Sequence, residues 1–125
     1  MNLNQVTIAS LNVEKAVVFY KILGLNLIVD ALPRYVRFEC PDGDSTFSIH
    51  NVEELSEENK ITLYFEVENL STTVSELKQK GITFKSEILE QSWLWNEVHL
   101  NDPDGHSIII YHAGKNRKNP PWRLN

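Results

Sequence analysis

From Ile61 to Val67 the chain alternates: Ile61, Leu63, Phe65 and Val67 are apolar, while Thr62, Tyr64 and Glu66 between them are more polar. A two-residue period is that of an extended strand with one face in a core. The same period predicts Val6 and Ile8 inside with Gln5, Thr7 and Ala9 opposite, and Val36, Phe38 and Cys40 inside with Tyr35, Arg37 and Glu39 opposite. It also predicts Val98 and Leu100 inside with Trp95, Glu97 and His99 opposite, and Ile108 and Ile110 inside with Ile109 and Tyr111 opposite. Two other stretches, NVEKAVVFYKILGL from Asn12 and NLSTTVSELKQKGI from Asn69, carry apolar residues at three- and four-residue spacing. Each starts on an asparagine suited to N-capping and reaches a glycine suited to a left-handed stop, so both predict amphipathic helices.

These segments repeat in order. Superposing Asn12 on Asn69 also brings Val17 onto Val74, Tyr20 onto Leu77 and Gly24 onto Gly81. Each helix follows one β-rich run (VTIAS; ITLYFEV) and precedes three more (LNLIVD, RYVRFEC and STFSIH; ITFKSE, WNEVHL and SIIIYH). The pattern predicts an α+β fold of two tandem βαβββ modules, with curved mixed sheets enclosing a cavity. Module one covers about residues 4–50 and module two about 61–112, within a single domain over 1–112. The acidic stretch NVEELSEENK, residues 51–60, reads as a solvated linker. Residues 113–125 form a basic arm containing Pro120, Pro121 and Trp122, expected to be extended and to dock through Trp122 on its own domain or on a partner copy.

The second faces of the strands carry large aromatic bodies, Tyr64, Trp95 and Tyr111, among polar groups. That mixture favours a half-enclosed small-molecule site over a face open to water. Gln5, Arg37, Tyr64, Trp93, Trp95 and Tyr111 are the candidate ligand-binding residues. Trp93 and Trp95, read on one strand, would form a wall for a flat or apolar ligand, and Arg37 would hold a carboxylate or phosphate by a two-pronged contact unless Glu39 or Glu66 balances it. His99 with Glu97 or Glu66 is the candidate acid–base pair. His106 is expected to be solvated in its turn, and both His106 and His112 to be structural rather than catalytic.

Composition narrows the partners. With 12 Lys and Arg against 17 Asp and Glu the formal charge is −5, which argues against nucleic acid and anionic membranes. No apolar run is long enough to span a bilayer, and MNLNQVTIASLNVEK lacks the pattern of a secretion signal. The single Cys40 cannot pair internally. A cytoplasmic location is expected. There is no Gly-x-Ser-x-Gly elbow and no phosphate-binding glycine loop, and Cys40 is expected beneath a helix as an inert small side chain.

The paired modules, the helix VEKAVVFYKILGL and the late DPDGHSIIIY, with its shorter echo PDGDSTFSIH, resemble the vicinal oxygen chelate superfamily. Glyoxalase I, extradiol dioxygenases, fosfomycin resistance enzymes and bleomycin resistance proteins belong to it. The resemblance covers roughly residues 4–112. It implies two paired modules, a homodimer, and a divalent metal held by His, Gln or Glu near the start of each module and on each module's last strand. Carried over, those positions are Gln5, Thr62, Ile109 and, on the first module's last strand, either Phe47 by counting from Pro41-Asp42-Gly43 or Ser48 with His50 by alternation. Gln5 and His50 are weak candidates and Ile109 cannot coordinate at all, so the expectation is a small-molecule binding protein without the family's metal, possessing or lacking an enzymatic activity of its own. The alternative is a metal-dependent lyase, isomerase or dioxygenase whose ligands have moved to His50, Glu66, Glu97 or His99.

Overall fold

A computed structural model describes residues 1–125. Its elements run β1 (Gln5–Ser10), α1 (Val13–Ile22), β2 (Asn26–Ala31), β3 (Tyr35–Glu39), β4 (Thr46–Asn51), β5 (Thr62–Glu66), α2 (Leu70–Gln79), β6 (Leu89–Glu90), β7 (Asn96–Asn101) and β8 (Ser107–His112). Two four-stranded sheets result, ordered β1-β4-β3-β2 and β5-β8-β7-β6. Each contains one parallel pair, β1 with β4 and β5 with β8, and is otherwise antiparallel. The duplicated α+β order expected from the sequence is therefore present. Two compact units divide the chain: Met1–Ile61 with Asp102–His106, and Thr62–Asn101 with Ser107–Asn125. No helix is long and apolar enough to cross a membrane.

The helix boundaries follow from their end residues. Asn12 accepts a hydrogen bond from the Lys15 N–H and Asn69 from the Thr72 N–H, so the same capping device starts both helices. Both end as the chain turns left-handed, at Gly24 with φ +105° and at Gly81 with φ +94°, where a side chain would be strained. The Leu25 and Ile82 N–H groups then close back on the carbonyls of Tyr20 and Leu77.

In the first unit the core lies between α1 and its sheet. Val13, Ala16, Val17 and Tyr20 of α1 are buried, as are Ile8, Val36, Phe38, Phe47 and Ile49 of the strands. The Tyr20 ring meets Phe47 edge-on at 4.7 Å, and Phe38 and Phe47 stack across β3 and β4. In the second unit Leu70, Val74 and Leu77 of α2 are buried, with Val98, Leu100, Ile108 and Ile110 of β7 and β8. Alternation thus identified inward residues on β1, β3, β7 and β8; on β5 the expected Leu63 and Phe65 are half-buried, and on β8 the opposite face, Ile109 and Tyr111, is buried as well.

Four expectations need correction. ITFKSE is not a strand. Ile82, Phe84 and Ser86 do alternate in burial with their neighbours, but the segment makes one backbone bond to β7, from Lys85 N to His99 O, and the Ser86 hydroxyl takes the place of a ladder carbonyl for the His99 N–H. The ladder itself is the two-residue β6, after which residues 91–95 turn, with Leu94 at φ +69°. Trp93 consequently sits in that turn rather than beside Trp95 on a strand. Cys40 is half-buried rather than sealed beneath α1, and its thiol pKa is raised by desolvation. The arm is not extended throughout: Gly114–Arg117 forms a 3-10 turn, and Trp122 stays 56% exposed, undocked on its own unit.

Candidate functional site

Register decides what shares a face. Gln5 pairs with Thr46 and Thr7 with Ser48 along β1 and β4, while Arg37 and Tyr35 of β3 pair with Ser48 and His50. Phe47 faces α1, so Ser48 holds the last-strand position left open by the sequence. In the second unit Thr62 pairs with Ser107 and Tyr64 with Ile109, which places Ile109 where Ser48 stands in the first.

On the first sheet these residues form a hydrogen-bonded cluster. The Gln5 side-chain amide donates to the Ser48 hydroxyl at 2.9 Å, Thr7 at 3.2 Å and the Val6 carbonyl at 3.1 Å, while its oxygen accepts from the Thr46 hydroxyl. Tyr35 and Ser48 oxygens are 2.7 Å apart, and Arg37 Nε donates to the Tyr35 oxygen at 2.9 Å. The cluster holds the Tyr35 pKa below the usual phenol range, chiefly through the Ser48 contact and then through Arg37. Neither Glu39 nor Glu66 pairs with Arg37: Arg37 has no carboxylate within ion-pair distance. His50 is exposed at the strand end.

On the second sheet the expected aromatic residues do converge. Trp95 stacks on Tyr111 with centroids 4.6 Å apart, and Tyr64 meets both rings edge-on at 5.9 and 5.7 Å. Trp95 and Tyr111 use one face each on one another, leaving Tyr64, 51% exposed, as the open edge of the cluster. Burial, followed by the Glu66 carboxylate, raises the Tyr111 pKa. Trp93 acts differently from the wall partner expected of it, since its Nε1 donates to Glu97 at 2.9 Å.

Glu97 is only 1% exposed and accepts from three donors: Trp93, Gln91 Nε2 at 3.3 Å and His99 Nε2 at 3.0 Å. The contact between Glu97 and His99, two residues apart on β7, therefore exists. A carboxylate so placed fixes the orientation of the imidazole. Glu66 does something else. One of its oxygens accepts the Ala113 and Gly114 N–H groups, and the other lies 3.5 Å from Arg117 Nε, so it fastens the turn after β8.

The histidine expected in solvent is buried. His106 is fully enclosed in the first unit, with Nδ1 accepting from the Ile61 N–H at 3.1 Å and Nε2 donating to the Ala9 carbonyl at 2.7 Å. Alternation could not find it, because it lies in a turn with no periodicity. His112 donates from Nδ1 to the Val67 carbonyl at 2.8 Å. Tyr35 and Ser48 were the residues missed as a pair; the shared parity of Tyr35 and Arg37 in RYVRFEC was the available signal.

The positions that hold the superfamily's metal are thus Gln5 and Ser48 in one unit and Thr62 and Ile109 in the other. Gln5 and Ser48 are bonded to each other, Thr62 offers one hydroxyl, and Ile109 offers hydrocarbon. No three His, Cys, Asp or Glu side chains gather closely enough to hold a metal ion. These residues do not fit a first-row divalent cation, which takes three or four N, O or S donors.

The family model of the glyoxalase-like domain matches residues 3–113. The chain belongs to that family and so to the vicinal oxygen chelate superfamily. A glyoxalase/bleomycin resistance protein/dioxygenase from Nocardioides superposes with a TM-score of 0.78 at 19% identity, over 100% of this chain and 90% of that one. A bleomycin resistance determinant encoded on the transposon Tn5 gives 0.73 at 16%, over 90% and 98%, and a lactoylglutathione lyase from Agrobacterium tumefaciens gives 0.74 at 14%, over 98% and 97%. At such identities the likeness concerns the fold. No curated protein sequence matches the chain significantly.

Proposed function

We propose that the protein binds a small molecule without a metal ion, with the aromatic cluster of the second sheet as the docking surface. The observation that carries this reading is Ile109. It pairs with Tyr64 on β5 and with His99 on β7 at the position where the superfamily places a metal-binding carboxylate; Tyr111 and Trp95 pack beside it, and His99, the one donor next to it, is hydrogen-bonded to Glu97. The exposed edge of Tyr64 against Trp95 suits a flat or apolar ligand, since aromatic contacts combine area with preferred ring geometry.

Metal analysis tests this reading. After mild chelation and reloading with divalent zinc, nickel, manganese or iron, the protein is expected to retain far less than one ion per chain. A stoichiometric, tightly held ion would establish instead a metal-dependent lyase, isomerase or dioxygenase with displaced ligands. Glu97 argues against that alternative, because its carboxylate is already engaged by three donors.

The working form in this proposal is a cytoplasmic homodimer. Trp122 and Leu124, exposed on the arm, supply apolar surface that a second copy would cover. Light scattering on the eluting full chain is expected to give twice the monomer mass, and removal of residues 120–125 to weaken the dimer. A monomer at high protein concentration would refute the assignment.

A further inference from the structure

The hydrogen bonds of the first sheet have only one consistent direction. Gln5 presents its NH2 to the Val6 carbonyl, which can only accept, so the nitrogen end of the amide faces Ser48; its two hydrogens serve Val6, Thr7 and Ser48, with Ser48 the nearest at 2.9 Å, and toward Ser48 it can only donate. Ser48 is fully buried, and the Tyr35 oxygen is the sole acceptor within reach of its hydroxyl hydrogen. Arg37 Nε–H can only donate; it reaches the Tyr35 oxygen at 2.9 Å and Ser48 Oγ at the longer 3.4 Å, so the Tyr35 oxygen is its main acceptor. That oxygen therefore receives two hydrogen bonds from within the protein, and its own hydrogen is directed away from both donors. The outer nitrogens of Arg37 make no hydrogen bond within the chain, although the chain carries 17 acidic residues.

We propose that Tyr35 and Arg37 form an oxyanion-binding site on the first sheet, in which the Tyr35 phenol donates its free hydrogen to a carboxylate or phosphate oxygen while the outer nitrogens of Arg37 supply the balancing charge. Ser48 and Gln5 are positioning residues: they polarise the phenol by donating toward its oxygen. This site is independent of the aromatic surface and of metal content, so it stands or falls separately from the binding function proposed above.

Two donors on the phenol oxygen also stabilise the phenolate, in keeping with the lowered pKa of Tyr35. The other charged or titratable groups on the face of Tyr35 are Glu39 on its own strand and His50 directly across on β4; on β2 the residue across from Tyr35 is Ala31, and Asp30 pairs with Val36 on the opposite face. A bound anion needs the protonated phenol and opposes its ionisation. Anion binding must therefore raise the Tyr35 pKa, and ionisation of Tyr35 must weaken anion binding by the same factor.

Ultraviolet titration of the full chain reads this directly, with the step belonging to Tyr35 isolated as the difference between wild type and Tyr35→Phe. In sodium chloride the step is expected below the ordinary phenol value of about 10, and higher in Ser48→Ala. Replacing part of the chloride by inorganic phosphate, or by acetate, at constant ionic strength is expected to raise it by roughly half to one pH unit. The anion that acts at the lower concentration identifies the ligand class, phosphate or carboxylate. Arg37→Gln, at an exposed position, is expected to abolish the anion effect. The proposal fails if neither anion moves the wild-type step, if both act equally in Arg37→Gln, or if the step lies at or above the ordinary value. The wild-type arm needs no variant beyond the subtraction, so a misfolded Ser48→Ala protein would not rescue or sink it.

Discussion

Asp102→Ala is expected to lower the unfolding free energy by about 4 kcal/mol, the largest loss anticipated from any polar position. Asp102 is buried and accepts from the Tyr20 hydroxyl at 2.6 Å and from the Asp104 and His106 N–H groups at 2.9 Å each. Hydrogen bonds to a charged acceptor are worth about 1.5 to 3 kcal/mol apiece, and truncation strands three donors at once. Tyr20→Phe removes only one of the three and is expected to cost about half as much. Urea denaturation with an unchanged slope would check both values, and a loss below about 1 kcal/mol for Asp102→Ala would show the network to be replaceable by water. The pH dependence has a definite sign. Burial, then the Asp102 carboxylate, raises the Tyr20 pKa far above its ordinary value of about 10. Stability contributed by keeping this phenol protonated is complete below that value and is lost as pH rises beyond it, because the unfolded chain then releases a proton that the folded chain retains.

Tyr111→Ala is expected to destabilise the protein by about 3 to 5 kcal/mol and to remove the proposed ligand surface with it. The ring is nearly buried, stacks on Trp95 and receives the edge of Tyr64, so its loss opens a cavity and unsupports two further rings. Tyr111→Phe separates packing from polarity. The Tyr111 hydroxyl has no hydrogen-bond partner within the chain, so this variant is expected to change stability by less than about 1 kcal/mol. Thermal denaturation of the pair distinguishes the two contributions: similar losses in both variants would mean that the hydroxyl, not the ring stack, holds the face together.

These expectations show where sequence reading succeeds. Alternation works wherever a strand has one face against a helix, because burial imposes a period of two: Val36 and Phe38, or Ile108 and Ile110, could hardly be placed otherwise. Helix ends were equally readable, since Asn12, Asn69, Gly24 and Gly81 act through bonds to neighbours within a few residues. The method failed at ITFKSE, where the right alternation was present but the ladder partner was not, and at Trp93, which a tight turn removes from the strand. Neither failure concerns local propensity. Both follow from pairing with β7, which no property of the segment itself records.

The candidate site divides in the same way. That Gln5, Arg37, Tyr64, Trp95, Glu97 and Tyr111 lie on second faces follows from parity alone, whereas the place of Ile109 at a metal position is what the superfamily resemblance implies. The partners of each group required the tertiary structure. Glu97 could have been solvated, but Trp93 and Gln91 return from the β6–β7 turn to cover it; His106 could have faced water, but Ala9 and Ile61 enclose it. The sequence by itself determined the duplicated architecture and the face of each strand residue, because backbone geometry makes those properties local. Only the tertiary structure decided which donors meet which acceptors, including the two that converge on Tyr35, because hydrogen-bond direction depends on atoms brought together from β1, β3 and β4.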